Sequence, residues 1–146
     1  MENQYEILKL ESQLCFPLYA VSKEIIRKYK PLLDKINLTY TQYITMMVLW
    51  EHNEINVKEL GEKLFLDSGT LTPLLKNLEG KNYIKRSRSS TDERMVYIKL
   101  TDEGEDLKKL ASSIPAKILK SFQLSVNEVK NLYEILYKTL DNLSKN

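Results

Sequence analysis

Residues 56–104 read NVKELGEKLFLDSGTLTPLLKNLEGKNYIKRSRSSTDERMVYIKLTDEG, and they predict two helices joined by a tight turn and followed by a basic β-hairpin. Asn56 can cap the first helix by accepting a hydrogen bond from its free N–H groups, and Glu59 can reach back to the helix start. The apolar face of this helix consists of Leu60, Leu64 and Phe65. Two helices in this arrangement are typical of proteins that bind duplex DNA.

The second helix of the pair is predicted to begin at the turn Asp67-Ser68-Gly69-Thr70. Its apolar face consists of Leu71, Leu74, Leu75 and Leu78. The opposite face carries hydroxyl, ammonium and amide groups, on Ser68, Thr70, Thr72, Lys76 and Asn77. Such groups hydrogen-bond phosphates and base edges, and we expect the first four to contact DNA. Pro73 is compatible with this helix if regular structure begins at about Ser68 to Thr70 and the proline falls near the first turn.

Two strand-like runs, residues 83–88 and 95–100, predict an antiparallel hairpin, or wing. The turn between them, Ser-Ser-Thr-Asp-Glu, is flanked by three arginines, Arg86, Arg88 and Arg94. We expect Arg94 to enter the minor groove at the tip of the wing, with Asp92 orienting its guanidinium group. The other two arginines are expected to clamp phosphates or to lie as charges on the strand surface.

Basic residues are concentrated in the second half of this stretch. The whole chain has a formal net charge of only +2, which by itself does not indicate a nucleic-acid partner. Between Lys76 and Lys99, however, seven basic residues stand against three acidic ones. The alternative interpretation is a solvated hairpin that happens to be basic, but a helix-turn-helix directly before it favours DNA binding.

Composition limits the class of protein. At 146 residues the chain is long enough for one domain with a buried core. No run approaches the ~18 apolar residues that a membrane span requires, and no signal-peptide pattern opens the chain. One cysteine and one histidine can form neither an internal disulfide nor the usual zinc site, and the four glycines are scattered. We therefore expect a cytoplasmic protein with no cofactor, no metal and no catalytic residues.

The two ends of the chain carry helical apolar stripes. From Val126 to Leu143 the spacing of apolar residues alternates between three and four, and Ser125 with Glu128 forms a capping box. A second stripe lies near the N-terminus, at Leu14, Leu18, Val21 and Ile25. Both helices could simply close the core of one chain. DNA readers of this size usually pair, however, so we expect a homodimer that binds a pseudo-palindromic operator in double-stranded DNA.

The middle of the chain predicts a further helix, capped by Thr39 and Gln42. Residues 43–50 are apolar on nearly all sides of this helix, which indicates that it is buried. Residues 101–119 predict another helix, interrupted near Pro115, that links the wing to the dimer region.

These elements predict one domain, residues 1–146, of the mainly α (α+β) class. A winged helix-turn-helix covers about residues 36–100. Dimerisation helices occupy about residues 1–35 and 101–146.

Several motifs resemble one family of regulators. DER at 92–94, followed by LTDEG at 100–104, resembles the wing motif of MarR-type transcriptional regulators. LDSGTLTPLLK at 66–76 is similar to the recognition helix of one branch, the organic-hydroperoxide-sensing repressors called OhrR. Four other segments resemble that branch as well: QLCF at 13–16, LYA at 18–20, YKPLLDK at 29–35 and LTY at 38–40. The resemblance thus covers essentially the whole chain.

This resemblance implies a redox switch centred on Cys15. In such repressors the reduced dimer binds its operator, and an organic hydroperoxide converts the cysteine to sulfenic acid. Tyr29 and Tyr40 match positions whose hydroxyl groups reach across from the partner subunit to the reactive sulfur, and Tyr19 would line the same pocket. Hydrogen-bond donors aimed at sulfur favour the thiolate, which is the nucleophile. With no second cysteine, the sulfenic acid would take up a small cellular thiol as a mixed disulfide or would oxidise further.

Pro17 departs from the pattern of that branch, which carries an ordinary apolar residue there. Proline removes the N–H that would bond the carbonyl of Gln13. Either the helix begins around Phe16, so that Cys15 lies at its N-terminus where the helix dipole favours a thiolate, or the helix kinks and the tyrosine hydrogen bonds are misaligned. The sequence leaves both possibilities open.

Other interpretations of Cys15 remain. A lone cysteine on an apolar helical face is most often a small buried hydrophobe. The protein would then be a regulator of the same type that a small aromatic ligand releases from DNA. A third possibility is a thiol peroxidase, although the lack of a resolving cysteine and the DNA-reading half of the chain count against an enzyme.

Overall fold

Helices dominate the chain, and one small β-sheet accompanies them. The computed structural model describes residues 4–145 of the 146-residue chain. By its internal contacts the chain divides into two compact units, Met1–Ile114 and Pro115–Asn146. The helices are α1 (Cys15–Asp34), α2 (Tyr40–His52), α3 (Val57–Leu64), α4 (Ser68–Gly80), α5 (Asp102–Ala111), α6 (Ile114–Ser121) and α7 (Val126–Ser144), and the strands are β1 (Glu54–Asn56), β2 (Ile84–Arg88) and β3 (Val96–Leu100).

The sheet is antiparallel and lies in the first unit. Its strand order is β1-β3-β2, so β3 is the central strand. Ile84 pairs with Leu100 and Arg88 with Val96, which makes β2 and β3 the two arms of the wing. The winged helix-turn-helix predicted from the sequence is confirmed, with each wing strand starting one residue later than expected.

Strand β1 is an element that the sequence pattern does not predict. It pairs with β3 through Ile55, which lies opposite Ile98. Three residues are too few to show the alternation by which a strand is recognised. Both isoleucines are buried, and β1 runs directly into α3, so this short pairing fixes the start of α3 against the sheet.

Side-chain caps define where several helices begin. The capping boxes predicted for α2 and α7 are both complete, from Thr39 to Gln42 and from Ser125 to Glu128. At the start of α3, Asn56 accepts a hydrogen bond from the Glu59 N–H at 2.8 Å. Loss of such a cap typically costs about 1 kcal/mol, so these side chains stabilise the observed helix starts.

The core of the first unit is apolar and draws on helices and strands alike. Its fully buried apolar side chains are Leu33, Met46, Leu49, Leu60, Leu71, Leu75, Leu78, Ile84 and Ile98. Two expectations are wrong here. Met47 on α2 is 44% exposed, so α2 is buried on one side only. Phe65 is 60% exposed because it ends α3 in the left-handed conformation, with φ 54°, which turns its side chain away from the apolar stripe.

The structure resolves the two possibilities for Pro17. Helix α1 begins at Cys15, so Pro17 is the third residue of the helix. The N–H groups of a first turn have no partner within the helix, so the N–H that proline lacks is not needed there. The helix therefore starts near Pro17 and does not kink there. Pro73 lies deeper than expected, in the second turn of α4. Proline has no N–H to bond the carbonyl of Gly69, four residues earlier, and both residues are exposed.

The second unit contains α7 and all of α6 except its first residue, Ile114. The break between α5 and α6 confirms the interruption predicted near Pro115. Along Val126–Ser144 no side chain is buried, so the apolar stripe of α7 lies on the surface of this unit. Between residues 4 and 145, no helix is both long enough and apolar enough to cross a membrane.

Gly104, in the first turn of α5, lies directly against the backbone of Tyr83. A Cβ atom at Gly104 would overlap the Tyr83 carbonyl oxygen. The Thr101 N–H donates to that same carbonyl at 3.2 Å, and the Thr101 hydroxyl donates to the Asn82 carbonyl at 2.7 Å. The Trp50 indole N–H donates to the Gly104 carbonyl at 2.9 Å. The start of α5 is thus fixed both to α2 and to the chain entering β2.

Replacing Gly104 with alanine should lower the free energy of unfolding by about 1–3 kcal/mol, because backbone atoms of Tyr83 must move to make room. Gly80 is a matched control, since a Cβ atom there meets nothing within 4 Å. Gly80→Ala should raise the stability by about 0.4–1 kcal/mol through the lower entropy of the unfolded chain. Urea denaturation of the three proteins measures both effects. Equal stability of Gly104→Ala and the original chain would contradict the close approach.

Candidate nucleic-acid interface and thiol site

Helix α4 presents a polar face because its apolar face is buried. Leu71, Leu75 and Leu78 are at most 2% exposed. All four residues expected to contact DNA lie on the exposed side of this one helix: Ser68, Thr70, Thr72 and Lys76. They span about 12 Å along the helix axis at its rise of ~1.5 Å per residue. All four are therefore open to solvent along the same helix.

A carboxylate fixes the first turn of α4. Asp67 precedes the helix, and its Oδ1 accepts a hydrogen bond from the Thr70 N–H at 2.7 Å. The backbone and side-chain hydrogen bonds from Thr70 hold the pKa of Asp67 below its usual range. The cap therefore stays ionised at neutral pH, which suits the positive end of a helix dipole.

The C-terminal end of α4 makes hydrogen bonds to other parts of the same chain. Asn77, which the sequence places on the polar face, accepts a hydrogen bond from Gln42 Nε2 through its Oδ1 at 2.9 Å. Lys81 follows the helix, and its Nζ donates to Gln42 Oε1 at 3.1 Å and to the Asn37 carbonyl at 2.7 Å. Burial lowers the pKa of Lys81. These two side chains thus tie α4 to the start of α2.

The tip of the wing carries a freely projecting arginine. The side chain of Arg94 is 94% exposed, and its Nε lies 3.5 Å from Asp92 Oδ1. The Arg94 N–H also donates to Asp92 Oδ1 at 3.0 Å. Asp92 is therefore placed to orient the guanidinium group, as expected from the sequence. Arg88 lies at the end of β2 and is exposed.

Arg86 is held differently from the other two wing arginines. Its Nε and one terminal guanidinium nitrogen donate to Glu79 Oε1 at 3.1 and 2.9 Å, and its backbone N–H donates to Glu79 Oε2 at 3.0 Å. These bonds hold the pKa of Glu79 below its usual range. Because Glu79 belongs to α4 and Arg86 to β2, the ion pair joins the wing to the helix instead of leaving a free cation for phosphate.

The thiol of Cys15 is exposed at the first residue of α1. Leu14, the preceding residue, supplies no side-chain cap to the free N–H groups of the first turn. The partial positive charge of a helix N-terminus favours a negative group placed there. Tyr19 follows one turn later and is also exposed, with the ammonium nitrogen of Lys23 5.1 Å from its ring centre.

An open depression of about 460 Å³ adjoins this thiol segment. Its lining residues are Lys9, Leu10, Glu11 and Phe16. Two of them are apolar and two are charged, so the depression can take a molecule with an apolar body and a polar end. Over residues 4–145 no three potential metal ligands gather in one place.

Three tyrosines form a cluster where α1 meets α2. The ring centres of Tyr29 and Tyr40 are 5.0 Å apart, and Tyr43 lies 5.7 Å from Tyr29. Burial, and then the nearby Tyr40 and Tyr43 hydroxyls, raise the pKa of Tyr29 to about 12. Burial also raises the pKa of Tyr40. Both hydroxyls therefore keep their protons at neutral pH and can act as hydrogen-bond donors.

Cys15 and Tyr29 cannot meet within one chain. Both residues belong to α1, fourteen positions apart. At ~1.5 Å per residue this corresponds to about 21 Å along the helix axis. The structure therefore brings Tyr29 and Tyr40 together but keeps both away from the thiol of the same chain.

Comparison with known proteins places this arrangement in a family. Residues 27–110, more than half of the chain, match the family described as transcriptional regulator SarA/Rot. The chain belongs to this family of transcriptional regulators. The organic hydroperoxide resistance transcriptional regulator of Bacillus subtilis is 51% identical to it, over 98% of this chain and 97% of its own length. The HTH-type transcriptional regulator SarZ of Staphylococcus epidermidis is 47% identical, over 93% of this chain and 89% of its own length.

Solved structures of AbfR of Staphylococcus epidermidis resemble this regulator as well. The reduced protein bound to DNA has a TM-score of 0.78 and 35% identity, covering 97% of this chain and 99% of that chain. A disulfide form of AbfR has a TM-score of 0.67 and 35% identity, covering 96% of each chain. These relatives confirm the predicted membership of the MarR-type group in its OhrR-like branch, and with it the predicted role in regulating transcription.

Sequence reasoning missed several residues that position the site. Glu79, Gln42 and Tyr43 contact partners that lie on other elements of this regulator. No local spacing links a helix residue to a strand residue seven positions later, so the Glu79–Arg86 pair had no sequence signal. The capping box did single out Gln42, but for the start of α2 and not for its contact with Asn77 in α4.

The raised pKa of Tyr29 makes the stability of the regulator depend on alkaline pH. In the unfolded chain tyrosine ionises near pH 10, whereas the folded chain resists ionisation up to about pH 12. The free energy of unfolding should therefore be insensitive to Tyr29 below pH 10 and should fall as the pH rises from 10 to 12. Tyr29→Phe should reduce this fall by about 1 kcal/mol at pH 12, less than the full shift would give because the half-buried hydroxyl is partly screened by solvent.

Urea denaturation at several pH values measures the effect, with Tyr133→Phe on α7 as a control for the loss of one tyrosine. Equal pH dependence in the original chain and in Tyr29→Phe would contradict the burial of the Tyr29 hydroxyl.

Proposed function

We propose that this regulator is a DNA-binding repressor that senses organic hydroperoxides through oxidation of Cys15 and then releases its operator. The observation that carries the proposal is the exposed thiol at the start of α1, in a chain 51% identical to an organic hydroperoxide resistance regulator. We infer that the protein acts in the cytoplasm, as a regulator and not as an enzyme.

The proposed chemistry begins with the thiolate of Cys15, which attacks the terminal oxygen of the hydroperoxide. The S–O bond forms as the O–O bond breaks, sulfur loses two electrons, and the alkoxide leaves as an alcohol after taking up a proton. A small cellular thiol then attacks the sulfenic acid, which gives a mixed disulfide and water. Leu10 and Phe16 line the depression, and Phe16 directly follows Cys15 in the chain; their apolar side chains suit the organic part of a hydroperoxide.

Two copies of the chain are needed for the tyrosines to act on the thiol. Within one chain, Cys15 and Tyr29 are separated by about 21 Å of helix. A homodimer in which the start of α1 in one subunit approaches the tyrosine cluster of the other removes this separation. Tyr29 and Tyr40 would then donate hydrogen bonds to the sulfur, and Tyr19 would line the same pocket. The exposed apolar residues of α1 and of α7 support such pairing, since burial of apolar surface drives association.

For DNA, we propose that α4 is the recognition helix and enters the major groove. Its exposed polar residues would contact phosphates and base edges, namely Ser68, Thr70, Thr72 and Lys76. Arg94 would enter the minor groove, oriented by Asp92, while Arg88 would contact the backbone. Arg86 would act indirectly, because its bonds to Glu79 hold the wing at a fixed position beside α4.

Replacing Arg94 with alanine should weaken operator binding by about tenfold or more, because an arginine in a narrow minor groove contributes both charge and hydrogen bonds. Arg94→Lys should recover only part of the loss, since lysine lacks the planar guanidinium group. Lys109→Ala removes one exposed positive charge from α5 and serves as the control. Gel-shift titration measures all three. Unchanged affinity of Arg94→Ala would show that the wing tip does not contact DNA.

The redox role of Cys15 is tested on an operator fragment from the protein's own promoter. Reduced protein is titrated with cumene hydroperoxide in the presence of a small thiol, beside Cys15→Ser. We expect the original chain to be released and the variant to stay bound, because serine has no sulfur to oxidise. If both stay bound, Cys15 is a packing residue and a small aromatic ligand becomes the inducer to seek. Sustained consumption of hydroperoxide with thiol reductant in a steady-state assay would instead indicate a thiol peroxidase.

A further inference from the structure

Tyr40 lies inside the capping box that starts α2. It is the first residue of this helix, and Thr39 and Gln42 on either side of it close the box. The Gln42 N–H donates to the Thr39 hydroxyl at 3.3 Å, and the Thr39 N–H donates to Gln42 Oε1 at 3.1 Å. The backbone of Tyr40 therefore cannot be displaced without straining or breaking these two bonds.

The same Gln42 side chain is bonded to the end of α4. Its Nε2 donates to Asn77 Oδ1 at 2.9 Å, and its Oε1 accepts from Lys81 Nζ at 3.1 Å. Gln42 is only 6% exposed, so water cannot readily replace these partners. The buried amide group of Gln42 thus connects the capping box around Tyr40 with the end of α4, the proposed recognition helix.

The orientation of this amide is fixed by its partners. The Thr39 N–H and the Lys81 ammonium group are both donors only, so the oxygen of Gln42 must face them. The nitrogen of Gln42 must then face Asn77, which presents its oxygen. A buried amide that loses its partners is unfavourable by an amount comparable to the bonds themselves, so the network has one well-defined arrangement and resists gradual distortion.

A second buried polar side chain on the same helix behaves differently. Thr45 is 0% exposed, but its hydroxyl donates to the Thr41 carbonyl within α2, at 2.8 Å. Thr45 and Gln42 are the buried polar residues between positions 4 and 145. Of these two, Gln42 is the one whose side chain joins α2 to another helix.

We propose that Gln42 is a positioning residue that couples Tyr40 to the recognition helix, so that a displacement of Tyr40 loosens the end of α4. This rests on the proposed function, because it describes how oxidation at Cys15 reaches the DNA-binding face. In the reduced dimer the intact network holds α4 in its DNA-binding position. When the oxidised cysteine displaces Tyr40, the capping box opens and Gln42 no longer holds Asn77 and Lys81.

The test compares four proteins on the same operator fragment: the original chain, Gln42→Leu, Asn77→Ala and the control Thr45→Val. Fluorescence anisotropy gives the Kd of the reduced protein and of the protein treated with cumene hydroperoxide and a small thiol. Loss of free thiol over time gives the rate of Cys15 oxidation. Circular dichroism shows whether each variant is folded.

We expect Gln42→Leu to weaken binding by the reduced protein about tenfold, since it removes two hydrogen bonds that cross between helices. The ratio of oxidised to reduced Kd should shrink by a similar factor, because the variant already lacks the contact that oxidation would break. The rate of thiol loss should fall in Gln42→Leu, because half of the capping box that places Tyr40 is lost and Tyr40 is a proposed donor to the sulfur. Asn77→Ala leaves the capping box intact and should not change this rate. On the Kd and its ratio, Asn77→Ala should act in the same direction as Gln42→Leu, and the double variant should be no weaker than Gln42→Leu alone. Thr45→Val should leave the Kd ratio unchanged.

Two results would contradict the coupling between Tyr40 and α4. Equal weakening of reduced and oxidised binding in Gln42→Leu would make Gln42 merely structural and would overturn the coupling. Strictly additive effects of Gln42→Leu and Asn77→Ala would do the same. If Gln42→Leu does not fold, the Kd ratio of Asn77→Ala decides, because Asn77 is exposed and carries one partner of the network. Original protein that stays bound after hydroperoxide would overturn the proposed function itself, whereas its release with an unchanged ratio in the variants overturns the coupling alone.

Discussion

Burial of one face of α4 is the constraint on which the rest of the structure depends. Leu71, Leu75 and Leu78 are removed from water, which at about 1.5–3 kcal/mol per side chain fixes the rotation of the helix about its own axis. Once that rotation is set, hydroxyl and ammonium groups can point only outwards. A surface able to contact DNA therefore follows from packing and needs no separate stabilisation.

Rotation alone does not fix where the ends of α4 lie, and polar contacts complete the placement. At the start, the Asp67 carboxylate holds the first turn. At the end, Glu79 binds Arg86 of the wing, and Asn77 meets the buried amide of Gln42. Apolar packing is tolerant of small shifts, whereas hydrogen bonds are directional. Burial of the leucines thus stabilises the packing of α4, and a few directional polar contacts fix the positions of its two ends.

The sequence predicted those features that depend on nearby residues. The capping boxes of α2 and α7, the leucine stripe of α4 and the two strands of the wing are patterns within a few positions, and the structure has them. At the start of α3 the Asn56 cap is present, but no bond back from the Glu59 side chain completes a box. The sequence did not predict features that depend on residues far apart along the chain. The pairing of β1 with β3, the approach of Gly104 to Tyr83 and the contact of Gln42 with Asn77 all join segments separated along the chain. Phe65 was predicted on the apolar face of α3, but it ends that helix in the left-handed conformation and is exposed.

At the candidate redox site, too, the sequence predicted some features and the structure supplied others. Resemblance identified Cys15 and the tyrosines and implied that they meet across two subunits. Helix geometry gives the physical reason, because Cys15 and Tyr29 lie about 21 Å apart along α1. The pairing of Tyr29 with Tyr40, and the place of Tyr43 beside them, became visible only when α1 and α2 were packed together.

The single thiol of the chain has a consequence for the timing of a response. A protein with two cysteines can carry its oxidised state as an internal bond, with a lifetime set by its own geometry. Here Cys15 is the one cysteine, and its side chain is open to solvent. If the proposed mixed disulfide forms at Cys15, the duration of derepression after a pulse of oxidant would be governed by the pool of small thiols in the cell. The same protein would give a brief signal in a cell rich in reductant and a long one in a depleted cell.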